Sequence, residues 1–373
     1  MDKPLRVVLA GGGTAGHTSP LIATAQALQQ ATDVSLSCIG TARGLETTVI
    51  PAAGLELDLV DPVPMPRSLT PQLALVPARL VGAVRQARAI LHKRGADVMV
   101  GFGGYVSMPA YLAARSLRIP IVIHEQNAVP GLANKVAARF AAVTATSFPQ
   151  TPLPGARFIG LPVRTEIATL ATQGRPTRAE ARESLGLDPE RPALLVSGGS
   201  QGARSINTAT VAARDELLAQ GFQVLHVWGK KNFKPDEHRA MTDEATGGRY
   251  VPLAYVEGMQ EAYAAADLML GRSGAGTVVE TAVVGLPGVF VPLPHGNGEQ
   301  ARNADPLVAA GAAVLVPDAD LDASRLVSEV SPLLSDHTRL EAMARAGRDL
   351  MPADAAATLA GLVIGSARPE RSA

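Results

Sequence analysis

The chain has 373 residues, 47% of them apolar and 18% charged, with 34 Lys and Arg against 34 Asp and Glu. That length fits about two domains at roughly 150 residues each, the apolar share excludes global disorder, and the balanced charge argues against a general nucleic-acid binder, which carries a basic excess. The single cysteine, Cys38, excludes an intrachain disulfide and a cysteine metal cluster and fits a reducing compartment.

Met1-Asp2-Lys3-Pro4 contains no apolar signal region. No stretch of about 18 uninterrupted apolar residues occurs, so no spanning helix is expected and any membrane contact is peripheral. Val7–Ala10, Val34–Ile39, Val98–Val100, Ile121–His124 and Val143–Thr146 read as strands in the first half. Ala193–Ser197, Val224–Trp228, Leu268–Gly271, Gly288–Val291 and Ala313–Val316 do so in the second. Apolar runs without polar alternation belong to parallel strands covered on both faces by helices. Two such sets predict two doubly wound α/β domains. Pro149, Pro152, Pro154 and Pro162 puncture the chain after Phe148, which places the boundary at Arg164, with domains over residues 1–164 and 165–350. Thr177-Arg178-Ala179-Glu180 has capping-box spacing and starts a helix ending before Pro189. Pro352–Ile364 reads as a last helix with Leu359, Leu362 and Val363 on one side, frayed beyond Gly365.

One device recurs four times: a buried strand, a glycine loop, then a helix. The loops are Gly11–His17, Gly101–Ser107, Ser197–Arg204 and Gly271–Thr277. Glycine admits close approach of a ligand, and the free N–H groups at a helix start attract anions. One loop can be a tight connection; four favour a phosphate-bearing ligand. Gly11, Gly13 and Gly16 match the dinucleotide fingerprint, but the next strand ends Ser37-Cys38-Ile39-Gly40-Thr41 without the carboxylate that a ribose needs. Gly198-Gly199-Ser200-Gln201-Gly202 matches a hydrolase nucleophile elbow, with Asp267 and His295 following in order, yet that reading leaves three loops unexplained. His124-Glu125 begins like a zinc motif but has no second histidine. Asp318-Ala319-Asp320 has the spacing of metal-dependent sugar transferases, and its polar turn reads better as a solvated loop.

Seven ordered segments are similar to the signatures of the MurG family of N-acetylglucosamine transferases: Gly11–His17, Gly103–Ser107, His124–Asn127, Pro162–Arg164, Gly198–Arg204, Gly271–Glu280 and Gln300–Ala304. The resemblance spans essentially the whole chain. It implies the GT-B fold, two Rossmann-like domains facing across a cleft, with the last helix returning to the first domain. It implies inverting transfer of N-acetylglucosamine from UDP-N-acetylglucosamine to the 4-hydroxyl of undecaprenyl-diphospho-N-acetylmuramoyl-pentapeptide, without metal or other cofactor. It further implies a peripheral position on the cytoplasmic face of the cell membrane. The donor site carried over comprises Thr14, Ala15, Gly16, Asn127, Arg164, Ser200, Val256, Arg272, Ala275, Gly276, Thr277, Val278, Val279, Glu280 and Gln300, and the acceptor loops Gly12, Gly13, Gly103, Gly104 and Tyr105. Ala15, Leu161, Val279 and Glu299 depart from the family's glycine, asparagine, serine and glutamine.

Sugar transfer puts negative charge on the departing diphosphate, which fixed donors and cations must stabilise. The helix start after Ser200 and the Arg164 guanidinium suit that task. Arg204 is either a second cation or a solvated helix residue. The attacking hydroxyl must lose its proton, and His17 and Glu125 are the candidate bases; Glu125 can equally orient Asn127 or the backbone. Glu280, among Val278, Val279, Ala282 and Val283, is a carboxylate whose charge calls for a partner, such as ribose hydroxyls. Leu73–Arg85 mixes apolar residues with arginines, with Arg67 and Arg88 flanking it, and reads as a core helix or a membrane-facing one. A soluble UDP-N-acetylglucosamine epimerase or a non-catalytic nucleotide-sugar-binding subunit would share the donor site.

Overall fold

The computed structural model describes residues 3–63, 75–199, 201–295 and 297–367. Contacts divide the chain into two units, Met1–Arg164 with Asp354–Ala373, and Thr165–Ala353.

The first unit holds β1 (Leu5–Ala10), β2 (Val34–Gly40), β3 (Glu56–Leu59), β4 (Val98–Gly101), β5 (Ile121–Glu125), β6 (Val143–Thr146) and β7 (Ala156–Phe158). They form a parallel sheet in the order β3-β2-β1-β4-β5-β6-β7. Its helices are α1 (Ala15–Ala31), α2 (Glu46–Ala52), α3 (Val76–Arg94), α4 (Ser107–Ser116) and α5 (Leu132–Ala137). Alternate residues of β1 feed two cores. Leu5, Val7 and Leu9 pack with Leu21, Ala25 and Leu28 of α1. Val8 and Ala10 pack with Ala87 and Leu91 of α3 and with Ala110 and Tyr111 of α4. Both faces are covered, which is why the strand reads as an unbroken apolar run.

The second unit holds α6 (Thr165–Gln173), α7 (Arg178–Ser184), β8 (Ala193–Ser197), α8 (Arg204–Ala219), β9 (Gln223–Val227), β10 (Met241–Thr242), β11 (Arg249–Leu253), α9 (Met259–Ala265), β12 (Leu268–Gly271), α10 (Ala275–Val284), β13 (Gly288–Phe290), α11 (Glu299–Ala309) and β14 (Ala313–Leu315). A 3-10 turn (Asp318–Asp320), α12 (Ala323–Leu334) and α13 (His337–Leu350) complete it. The sheet order is β10-β11-β9-β8-β12-β13-β14, parallel except for β10. Leu194 and Val196 pack against Ile206 and Ala213 of α8 and against Leu326 and Val330 of α12. The capping box at α7 forms: the Thr177 hydroxyl accepts from the Glu180 N–H, and the Glu180 carboxylate accepts from the Thr177 N–H.

Four strands escape the apolar-run reading. β3 alternates Glu56, Leu57, Asp58, Leu59, and its acidic residues are held by Arg94. β7 lies at a sheet edge and is exposed along its length. β10 is two residues long, and β11 carries a proline and is only partly buried.

α14 (Ala355–Ala367) follows α13 after a break at Met351–Asp354 and belongs to the first unit. It stays helical beyond Gly365, where fraying was expected. Residues 337–367 are long and apolar enough by composition to pass as a membrane span. The break, however, leaves 13 residues in α14, about 20 Å at 1.5 Å per residue, short of a bilayer core of about 30 Å. Leu359, Ala360 and Val363 are instead buried against the β1 core, while Leu362 is only partly covered. Replacing Leu359 by Ala should lower unfolding stability by about 2–5 kcal/mol, read from urea denaturation. A loss under 0.5 kcal/mol would show that α14 is not docked there.

Candidate active site

In each sheet the strand order reverses once, between β1 and β4 in the first unit and between β8 and β12 in the second. Ligands of open parallel sheets sit at the carboxyl ends of strands at such a point. All four glycine loops leave those four strand ends.

In the first unit the loop after β4 is tied to β1. The Phe102 N–H donates to Ala10 O at 2.8 Å, and the Ser107 hydroxyl lies 3.0 Å from Ala10 O and 2.6 Å from Gly103 O. Gly104 has φ +80°, and a Cβ there would lie 3.1 Å from Gly12 O. Close approach and left-handed backbone together require glycine. Helix α1 starts at Thr14, which makes no side-chain cap, and its first turn holds no acidic residue. Thr14, Ala15 and Gly16 are exposed, leaving the helix start open to an anion. Tyr105, on the second loop, is 53% exposed.

Two buried carboxylates set these loops. Glu46 accepts from the N–H of Gly13 at 2.8 Å and from the N–H and hydroxyl of Thr41 at 3.0 and 2.8 Å. Burial pushes its carboxyl up, but these hydrogen bonds outweigh that and leave it below its ordinary value. Glu125 accepts from the N–H of Asn127 at 3.0 Å, the N–H of Gly131 at 3.0 Å and the Asn134 amide at 2.9 Å. Tyr111 in turn donates to Asn134 Oδ1 at 2.6 Å.

His17, half-buried, has Nδ1 2.9 Å from Gln126 Oε1. Gln126 Nε2 lies 2.8 Å from His124 O and 3.2 Å from His124 Nδ1, and His124 Nε2 lies 2.9 Å from Gly160 O. Both His124 nitrogens are engaged inside the protein, which rules out the zinc reading on its own terms. Burial pushes the His124 ring down to about 4.

In the second unit the loop after β8 turns through Gly199 (φ +81°) and Gly202 (φ +72°) into α8; Ser200 lies outside the described residues. A Cβ on Gly198 would sit 2.2 Å from the Ala203 nitrogen. The loop after β12 enters α10 at Gly274, again without a side-chain cap, and no heavy atom lies within 4 Å of a Cβ built on Gly274 or Gly276. Ala275 is 7% exposed and Thr277 half-buried. Glu280 accepts from the Tyr263 hydroxyl at 2.9 Å. Gln300 uses Oε1 to accept from the Leu293 N–H at 2.9 Å. Val256 is buried, and Arg164, half-exposed, makes no ion pair among the described residues.

The deciding observation about kinship is the match along the sequence. Residues 7–146 match the N-terminal domain of glycosyltransferase family 28 and residues 193–359 its C-terminal domain. The chain belongs to glycosyltransferase family 28. It is 61% identical to a UDP-N-acetylglucosamine--N-acetylmuramyl-(pentapeptide) pyrophosphoryl-undecaprenol N-acetylglucosamine transferase of Cutibacterium acnes, over 97% of this chain and 98% of that one. A protein of the same name from a Nocardioides species is 54% identical over 96% of this chain and 98% of its own. The crystal structure of Acinetobacter baumannii MurG superposes with a TM-score of 0.76 at 29% identity, covering 97% of this chain and 99% of that one. The fold class is GT-B, two Rossmann-like α/β domains.

Several readings of this family 28 chain need correction. Arg272 points its guanidinium into the protein: it donates to Val291 O, Pro292 O, Asp318 Oδ1 and Ser205 Oγ at 3.1, 3.0, 2.5 and 3.0 Å. Asp318 is therefore an ion-pair partner and not part of a solvated turn. Burial raises its carboxyl, but the bonds from Ser205 and Arg272 outweigh that and hold it below the ordinary range. A cavity of about 580 Å³ lies above this pair, lined by Arg204, Thr208, Arg272, His295, Asp318 and Asp322 among others. Val278 and Val279 are fully buried, so their side chains belong to the core and do not reach a ligand. Glu280 is not a lone carboxylate, because Tyr263 shares it. Asp267 sits at the amino end of β12, ion-paired to Arg182 and Arg178, one strand length from the Ser200 loop, which removes the hydrolase triad. Sequence reasoning missed Glu46, Gln126 and Tyr263. A carboxylate six residues past the second strand end was visible, yet the reading sought one that binds ribose; this one binds Gly13.

His124 and His226 are both buried neutral, at about 4 and about 3, mainly because burial disfavours the charged ring. The unfolded chain binds protons near 6.5 and the folded one does not, so stability is full above that pH and falls as pH drops toward 4. By pH 5 each ring should cost about 2 kcal/mol. Urea midpoints should drop between pH 7 and 5; a flat profile would mean that the rings protonate in the folded state.

Proposed function

We propose that this chain transfers N-acetylglucosamine from UDP-N-acetylglucosamine to N-acetylmuramyl-(pentapeptide) pyrophosphoryl-undecaprenol, the lipid I to lipid II step of peptidoglycan synthesis. The observation that carries it is the 61% identity, over nearly the whole chain, to a transferase of that name.

In this reading the first unit takes the acceptor and the second the nucleotide. An uncapped helix start in each unit supports that division. The acceptor hydroxyl gives its proton to His17 Nε2, its oxygen bonds the anomeric carbon, and the bond from that carbon to the diphosphate breaks with its electron pair leaving on UDP. One such displacement inverts the anomeric centre. His17 is the base because the Glu125 carboxylate is occupied by two backbone N–H groups and Asn134. Glu280 and Gln300 have remaining acceptor and donor capacity for ribose or sugar hydroxyls. Asp318 is held by a cation and is poorly placed to recruit a second one, which supports a transfer without a divalent metal.

The membrane reading is supported by α3. Val76, Ala83, Ala87 and Leu91 bury one side, while Leu75 and Val81 are 52% and 49% exposed near the exposed Arg79, Arg85 and Arg88. Apolar residues ringed by basic ones suit the surface of an anionic bilayer. Arg67, Leu73 and Ala74 lie outside the described residues.

The test is incubation with UDP-N-acetylglucosamine, with and without a lipid-diphosphate acceptor, in excess EDTA. Disaccharide product and UDP should appear only with acceptor. Epimerised nucleotide sugar without acceptor would instead identify an epimerase, and activity restored only by Mg²⁺ would refute the metal-free mechanism. Glu280→Ala should weaken UDP binding by about 1.5–3 kcal/mol in calorimetry, whereas His17→Ala should bind UDP normally and lose transfer by about 10²–10⁴-fold. The reverse pattern would exchange the roles of the two units.

A further inference from the structure

We propose that Gln126 is a positioning residue that fixes the His17 ring in the Nδ1–H tautomer, so that Nε2 presents its lone pair at the glycine loops. This inference rests on the transferase reading for its consequence, but its structural content stands apart from it.

The argument starts from an acceptor that cannot change. His124 O and Gly160 O are backbone carbonyls and only accept. Gly160 O, 2.9 Å from His124 Nε2, places the proton of that ring on Nε2. His124 Nδ1 is then an acceptor. Gln126 faces it and His124 O with the same atom, at 3.2 and 2.8 Å, and only the amide nitrogen can donate to both. The amide orientation is thereby fixed, and Oε1 is the atom directed at His17. An amide oxygen accepts, so His17 Nδ1 must carry the hydrogen. Gln126 is 1% exposed and His124 fully buried, so neither competes for solvent partners. Burial keeps His124 neutral, in agreement with its accepting at Nδ1.

The other edge of the His17 ring faces the second glycine loop. A Cβ on Gly104 would lie 3.5 Å from His17 Cδ2 and 3.7 Å from Nε2. Nε2 makes no hydrogen bond among the described residues. The titratable groups on the elements meeting here are Glu46, Tyr105, His124 and Glu125. Glu46 and Glu125 are turned to backbone N–H groups, His124 is spent on Gly160 and Gln126, and Tyr105 is exposed. Gln126 is thus the group that sets the ring's proton. When His17 takes a proton at Nε2, Oε1 still accepts from Nδ1–H, and the ring does not reorient during transfer. Electrostatic support comes from a fixed dipole and not from a charge.

The test uses the full chain with ¹⁵N-histidine and long-range ¹H–¹⁵N correlation spectra, with His17→Asn identifying the His17 signals. Wild type should show His17 as Nδ1–H. Gln126→Leu should release the ring to Nε2–H and lower kcat at least tenfold, with the KM for UDP-N-acetylglucosamine within twofold. Gln126→Glu keeps the acceptor, so it should retain Nδ1–H and move the acidic limb of the kcat/KM profile to higher pH, because a carboxylate favours the protonated ring. A wild-type Nε2–H ring overturns the assignment, whatever the enzyme catalyses. The switch in Gln126→Leu without loss of kcat overturns the catalytic consequence. Loss of kcat with an unchanged tautomer and an unchanged acidic limb in both variants reduces Gln126 to packing. Absence of transfer by wild type would sink the transferase reading while leaving the spectra to decide the tautomer.

Discussion

Parallel strands cannot be joined by tight turns, so every connection must cross a face of the sheet. Where strand order reverses, consecutive crossovers leave on opposite faces. In the first unit α1 packs in the Leu9 core and α4 in the Val8 core, on the two sides of one sheet. The connections after β1 and β4 therefore part at the strand ends and leave a gap with helix starts on either side. Backbone must pass close to backbone there, as Gly104 does to Gly12, and side chains would collide, as one at Gly101 would with the Tyr111 ring. The glycine loops follow from that topology, and the same reversal between β8 and β12 explains why the second unit repeats them.

Loops so rich in glycine are entropically costly to hold. The first unit holds them with buried carboxylates. A buried carboxylate without partners is unfavourable by several kcal/mol, so Glu46 and Glu125 constrain the donors around them as strongly as the donors stabilise them. Glu46 fixes Gly13 against Thr41, and Glu125 fixes the course from Asn127 to Asn134. The second unit meets the same need with a cation: Arg272 gathers Val291 O, Pro292 O, Ser205 and Asp318 and so ties the loop after β12 to those after β13 and β14.

Buried strands were legible because burial on both faces leaves an unbroken apolar run, and Ala193–Ser197 and Leu268–Gly271 emerge with the limits read from sequence. The edge strands β3 and β7 were not, since they need cover on fewer sides and carry polar residues. The glycine loops were legible as a repeated pattern, but the side chains that brace them were not. Glu46, Gln126 and Tyr263 act through partners 33, 109 and 17 residues distant in sequence, which no local spacing reveals. A resemblance transfers positions without saying whether side chain or backbone faces the ligand. Val278 and Val279 show the difference: they lie in the right segment and their side chains belong to the core.

That difference bears on how the leaving group is stabilised under the proposed function. A departing diphosphate needs concentrated positive potential, and arginine is the usual source. Arg272 cannot serve while its guanidinium braces three loops, because drawing it toward a phosphate would strip Asp318 of its counter-ion and orphan two backbone carbonyls. The helix starts remain. α8 and α10 begin with uncapped N–H groups and no acidic residue in the first turn, so the dipole of each stays available to an anion. They need no rearrangement to act, since their donors are fixed by the helix itself. Arg204, the first residue of α8, forms no ion pair among the described residues and can add its charge to this fixed field. Fixed dipoles set where charge can develop, and such a cation adjusts how much of it is neutralised.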